Sequence, residues 1–136
     1  MATWRDVQRL AAALPETSER VRDDGQHQWR VKDNMFAWER PLGRSDLDAL
    51  GDGAPRGAIL AVRVTDLDAK DAILAEQPEV YFTTPHFNGY AAVLVRLGKI
   101  KIADLRELLT DAWLARAPKR LVTEHVADLR PKQGHG

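Results

Sequence analysis

Cysteine is absent from the sequence, which excludes a disulfide framework, a thiolate nucleophile and any zinc site built on sulfur. No apolar run approaches the roughly 18–20 residues of a membrane span. The first nine residues lack the basic-then-apolar order of a signal peptide. A cytoplasmic protein is therefore expected. Net charge is also missing: 20 basic side chains balance 20 acidic ones, which argues against a protein that coats nucleic acid by bulk charge. Gly43, Gly51, Gly53 and Gly57 match neither a P-loop nor a dinucleotide fingerprint. The four histidines show no paired ligand spacing, so no metal and no cofactor is expected. Thr83 and Thr84 are hydroxyls without an implied base, and no nucleophile–base pair is legible. The chain reads as non-enzymatic.

What is present is an ordinary mixture for a folded domain, with 44% hydrophobic and 29% charged residues among 136. That length suits one domain, expected over 1–130, burying roughly two-thirds of its unfolded surface; residues 131–136 read as a flexible tail. Charge is unevenly spread. After residue 91 there are 9 basic and 5 acidic side chains, so the last third is locally cationic.

In chain order, Thr3 suits an N-cap with Asp6 three residues on. Trp4, Val7, Leu10, Ala11 and Leu14 then follow helical spacing until Pro15. Glu19–Arg22 reads as a short strand. His27–Lys32 and Met35–Glu39 read as a hairpin turning on Asp33-Asn34, with Phe36 and Trp38 on one face. Arg40–Gly57 is punctuated by glycine and proline, with at most one helical turn near Ser45–Leu50; a connection so long is usually functional or mobile. Ala58–Val64 alternates as a strand. Thr65 or Asp66 caps a helix reaching about Gln77, with Leu67, Ile73 and Leu74 inward. Asp104 caps a long helix whose stripe is Leu105, Leu108, Leu109, Ala112 and Trp113, and Pro118 begins a further one. The strands show one apolar face each, as in a sheet covered by helices on one side. The sum is an α+β domain: an antiparallel sheet packed against N- and C-terminal helices.

Tyr81–Lys101 carries the densest chemistry. Phe82-Thr83-Thr84-Pro85-His86-Phe87 forms a corner, since Pro85 donates no N–H to a ladder, and Asn88-Gly89 supplies a sharp turn. Ala91, Val93, Val95 and Leu97 then line one face of a strand, with Leu94 and Arg96 on the other.

Leu14-Pro15-Glu16, the Trp29–Trp38 hairpin, the Phe82–Phe87 block followed by Gly89-Tyr90, and Ala112-Trp113 with Ala117-Pro118 resemble the MmcQ/YjbR family. The resemblance spans roughly residues 3–122. It implies a CyaY-like fold, similar to bacterial frataxin, with a double-wing arrangement and a DNA-binding label drawn by analogy of fold. It does not imply iron binding, because Asp6 is the only clear acid on the first helix. Many members carry a Gly-Lys turn where this chain has Asp33-Asn34, which removes a cation from one wing tip.

Two sets of candidate residues follow. Arg96, Lys99, Lys101, Lys119 and Arg120 are candidates for the phosphates of double-stranded DNA, in weak, salt-sensitive contact. Arg40, Arg44, His86, Phe87 and Tyr90 are candidates for a cleft taking a small anionic or aromatic ligand, or a protein partner. His86 lacks the partners an acid–base or ligand role requires, so a structural imidazole is its simpler reading.

Overall fold

Thr3 starts the first helix as its spacing predicts. The computed structural model describes residues 2–55 and 57–129, and in it the Thr3 and Asp6 side chains cap each other's backbone N–H groups at the start of α1 (Trp4–Ala12). Val7, Leu10 and Ala11 on one face of α1 are buried. Six strands follow: β1 (Thr17–Val21), β2 (His27–Val31), β3 (Asn34–Glu39), β4 (Ile59–Arg63), β5 (Tyr81–Phe82) and β6 (Ala92–Arg96). They form one antiparallel sheet in the order β1-β2-β3-β4-β6-β5. Between them lie α2 (Arg44–Leu50) and α3 (Leu67–Glu76), and α4 (Ile102–Arg116) and α5 (Lys119–Leu129) close the described chain. The tail expected over 131–136 lies outside the described residues.

The main core is built on one face of the sheet. Trp29, Val31, Leu60, Val62, Val93 and Val95 meet Val7, Leu10, Leu105, Leu109 and Trp113 from α1 and α4. The expectation of a single apolar face holds for β2, whereas β1 has no buried residue and β4 and β6 are apolar on both faces. Ile59, Ala61, Ala92, Leu94 and Phe82 make a second cluster on the opposite face, where Phe87 lies buried and Trp38, Leu42 and Leu50 pack against it. A row Trp38–Ala61–Leu94–Phe82 crosses four strands there. The long connection after β3 is therefore a cover for the central strands, because two-sided apolar strands need something on both faces.

Four local expectations are corrected. The hairpin turns on Lys32-Asp33, at φ of 48° and 68°, one residue earlier than the Asp33-Asn34 expected. Asn34 is drawn into β3, and its Nδ2 donates to the Arg116 carbonyl at the end of α4 (3.0 Å). The ladder then shifts between Trp29 and Arg30, a bulge-like break that upsets strict alternation. Phe36 and Ala37 both reach the main core while Trp38 falls on the other face, so Phe36 and Trp38 do not share one. In α3, capped by Asp66 Oδ1 accepting from Ala69 N (2.8 Å), Leu67 is 46% exposed and Lys70 is the buried residue. Finally, α4 begins a turn early: Lys101 is its N-cap and Asp104 sits inside the first turn, where an acid still suits the helix dipole.

Tyr81 on β5 provides a pH test of this core. Burial, with smaller contributions from Asp104, Glu76 and Glu107, pushes its phenol up from 10.0 to about 12. Folded and unfolded chains both keep the proton below pH 10, so the stabilisation is fully present there. Above it the unfolded phenol ionises first, and the stabilisation is lost as pH rises through about 12. At about 1.4 kcal/mol per unit, the loss across that window is roughly 2–3 kcal/mol. Denaturant unfolding from pH 9.5 upward should show a steeper alkaline decline in the wild type than in Tyr81→Phe. Parallel declines would place the phenol in water.

Candidate functional site

The end of the sheet where β6 stops is shaped by a short cationic run. Arg96 closes β6, a 3-10 turn at Leu97–Lys99 reverses the chain, and Lys101 opens α4. Leu97 and Ile100 are almost fully buried, which leaves Lys99 and Lys101 on the exposed side of the same tip. Beside them runs a groove of about 570 Å³ lined by Gly53, Pro55, Pro78, Glu79, Arg96 and Lys99 among others. Arg96 is held in place. Its guanidinium lies 4.7 Å from the Phe82 ring centroid, and Nη1 donates to the Pro78 carbonyl at 3.1 Å. Neither Lys99 nor Lys101 has an ion-pair partner among the described residues.

The five cationic candidates do not form one surface. Lys119 and Arg120 start α5, beyond the far end of the 15-residue α4, and at about 1.5 Å per residue that helix separates them from Lys101 by roughly 22 Å. Arg120 is also within 3.8 Å of Glu124.

The aromatic corner is packed rather than hollow. Phe87 is 3% exposed; Trp38 stacks on it at 6.3 Å and Tyr90 meets it edge-on at 5.8 Å. Arg40 lies 5.5 Å from the Phe87 ring centroid and pairs with the buried Asp46 carboxylate at 3.1 Å. Burial alone would push Asp46 up. The Gly43 N–H, the Arg40 charge and the neighbouring Thr84 hydroxyl together hold it below the usual carboxylate range. The Thr84 hydroxyl itself is buried and meets no partner in hydrogen-bond geometry. Behind the corner, Lys70 Nζ donates to the Phe87 and Tyr90 carbonyls at 2.6 and 2.8 Å, and burial pushes its ammonium below the ordinary lysine range, Asp71 opposing. Arg63 caps the rim, 4.7 Å from the Tyr90 ring centroid, with Nη1 donating to the Tyr90 hydroxyl at 2.9 Å. His86, tilted against Phe87 at 5.5 Å, and Arg44 are exposed. His86 and Tyr90 thus form the exposed edge of the corner, and Arg44 is exposed at the start of α2.

Asp46, Lys70 and Arg63 were not among the residues singled out from sequence. Two of them leave a signal. Gly43 and Asp46 stand at capping spacing, and the Asp46 side chain accepts from Gly43 N at 2.9 Å. Lys70 is in helical phase with Ile73 and Leu74, so a lone lysine on an apolar stripe was the clue. Among the described residues no group of three His, Cys, Asp or Glu is placed to hold a metal ion, and no helix is long and apolar enough to cross a membrane.

A six-stranded antiparallel sheet backed by helices, with a short cationic tip, defines an α+β protein of the kind expected. A solved structure, the Deinococcus radiodurans protein DR2400 with its DUF419 domain, matches this fold with a TM-score of 0.65 at 22% identity, covering 100% of this chain and 94% of that one. The chain belongs to the YjbR family, whose model matches residues 12–115. The uncharacterized protein Rv2570 of Mycobacterium tuberculosis (strain ATCC 25618 / H37Rv) is 52% identical over 131 residues, covering 94% of this chain and 98% of the relative. The uncharacterized protein Mb2600 of Mycobacterium bovis matches to the same extent.

Proposed function

We propose that this protein is a non-enzymatic, cytoplasmic binding protein that contacts double-stranded DNA weakly through phosphates, at the tip formed by Arg96, Lys99 and Lys101. One observation carries the reading: Lys99 and Lys101 are exposed side by side without ion-pair partners among the described residues, next to a groove that the fixed Arg96 guanidinium lines. The net neutrality of the chain keeps binding weak and confines it to this tip.

Each phosphate contact contributes about 0.9 to the slope of log affinity against log salt. Replacing Lys99 and Lys101 together by alanine is expected to lower that slope by up to about 2 and to weaken all duplex sequences alike. Stability should change by less than about 0.5 kcal/mol, as for other exposed side chains. Anisotropy titration of a random duplex over about 50 to 200 mM salt measures this. Absence of wild-type binding at the lower salt would rule the reading out, and an unchanged slope in the double variant would remove the contact from this tip. A second reading is favoured by one observation: Tyr90 stands 39% exposed and, like His86, packs against the buried Phe87 ring, a rim for a protein partner or a small anionic or aromatic ligand.

A further inference from the structure

A second cavity, of about 150 Å³, opens between α1 and the start of β2, far in sequence from the cationic tip. It is walled by Trp4, Gln8, Gly25, His27, Trp29 and Glu39. At about 30 Å³ per liquid water it holds roughly five waters, the size of a small organic molecule. Its aromatic side is preorganised. The Trp4 and Trp29 rings stack with centroids 6.3 Å apart and planes 17° apart, and the His27 ring stacks on Trp29 at 6.1 Å.

The polar groups determine what such a molecule would be. No lysine or arginine lines the cavity. Glu39 is half-buried, and its Oε1 accepts from the His27 backbone N–H at 3.0 Å. It has no ion-pair partner among the described residues. Glu19, close by, is already engaged: its Oε2 accepts from Gln8 Nε2 at 2.9 Å and pairs with His27 Nδ1. Burial would raise the Glu19 carboxyl, and Gln8, His27 and the nearby Trp29 N–H hold it below the usual range. The indole nevertheless does not reach Glu19 in hydrogen-bond geometry. Trp29 is 2% exposed and its Nε1–H is buried, so the ring offers the cavity its apolar surface and not its donor.

We propose that this cavity binds a small organic ammonium ion, with the ammonium held between the Trp4 ring and the Glu39 carboxylate. An unpaired carboxylate beside an aromatic face is the arrangement that selects organic cations. A bare metal ion is the poorer fit, because no three ligating side chains converge among the described residues. The site uses residues separate from Lys99 and Lys101, so it stands whether or not DNA binds.

Choline and ethanolamine are the probes, titrated by calorimetry and by the indole N–H signals in ¹H–¹⁵N NMR spectra, with Trp29 assigned through Trp29→Phe. At least one should saturate with a Kd of a few millimolar or below, about what so small a ligand can reach, and should shift the Trp29 indole signal. The neutral isostere 3,3-dimethylbutanol should bind about tenfold more weakly, as loss of the cation–π and carboxylate contacts requires. Glu39→Gln keeps Oε1 for the His27 N–H and should weaken the cation by about tenfold with an unchanged melting temperature. Trp4→Leu, at a half-exposed position, provides the same test should Glu39→Gln disturb folding. The proposal fails if neither probe saturates, if the neutral isostere binds as tightly, or if a folded Glu39→Gln or Trp4→Leu protein binds like the wild type.

Discussion

Replacing Trp113 by alanine is expected to destabilise the protein by roughly 3–5 kcal/mol, the range for deleting a large buried aromatic. Trp113 is fully buried at the centre of the main core, where α4 packs on β3, β4 and α1. Its indole Nε1 also donates to the Pro15 carbonyl at 2.9 Å, which ties α4 to the turn between α1 and β1. The substitution therefore opens a cavity and leaves that carbonyl without its donor. Trp113→Phe separates the two effects, since it keeps most of the apolar volume and loses the hydrogen bond; a loss of about 1–2 kcal/mol is expected from it. Urea unfolding of the two variants measures both. A change below about 1 kcal/mol for alanine would be that of a surface position and would contradict the packing described.

Lys70→Met should have the next largest effect on the fold. Lys70 is 5% exposed, and its ammonium donates to both the Phe87 and the Tyr90 carbonyl. Methionine matches its length without donating, so the Phe87 and Tyr90 carbonyls keep only the Tyr90 and Ala92 N–H groups and lose charged hydrogen bonds of about 1.5–3 kcal/mol each. The Tyr90 carbonyl is only partly buried and can turn to water, while removal of a desolvated charge offsets part of the loss. A net destabilisation of roughly 2 kcal/mol is expected. The change should be local as well. Amide exchange at Asn88 and Tyr90, whose N–H groups bond to Pro85 and Phe87, should quicken more than exchange in β4. A stability equal to wild type with unchanged exchange would show that the lysine does not fasten the turn.

The reason Lys70 is hard to recognise in the sequence is the reason the second apolar face is. Periodicity identifies which residues share a side of an element, and it served well where one partner layer sufficed. Val93, Val95 and Leu97 fall together in the main core with the α4 stripe, as their spacing required. The opposite face is covered by irregular chain, α2 and the Pro85–Phe87 turn, whose packing leaves no repeat to detect. Leu67, placed inward by its apolar character, is exposed, and Lys70, which carries a charge, is inside because two carbonyls receive it. The hairpin position slipped for a similar reason: Asn34 favours a turn locally, but a carbonyl 82 residues away draws it into the strand. The cavity under Trp4 joins α1 to β2 and the end of β3, so its residues are adjacent only after folding. Side-chain chemistry singled out Lys99 and Lys101, and the structure adds the groove and the fixed Arg96 beside them.

The most direct measurement is an amide map of the wild-type protein titrated with a short random duplex at low salt. Signals from residues 96–103, with those of Gly53 and Ala58 in the groove, are expected to shift together and to return as salt is raised. Shifts confined to residues 119–121, to the His86–Tyr90 rim, or absent altogether would contradict phosphate contact at the Arg96, Lys99 and Lys101 tip.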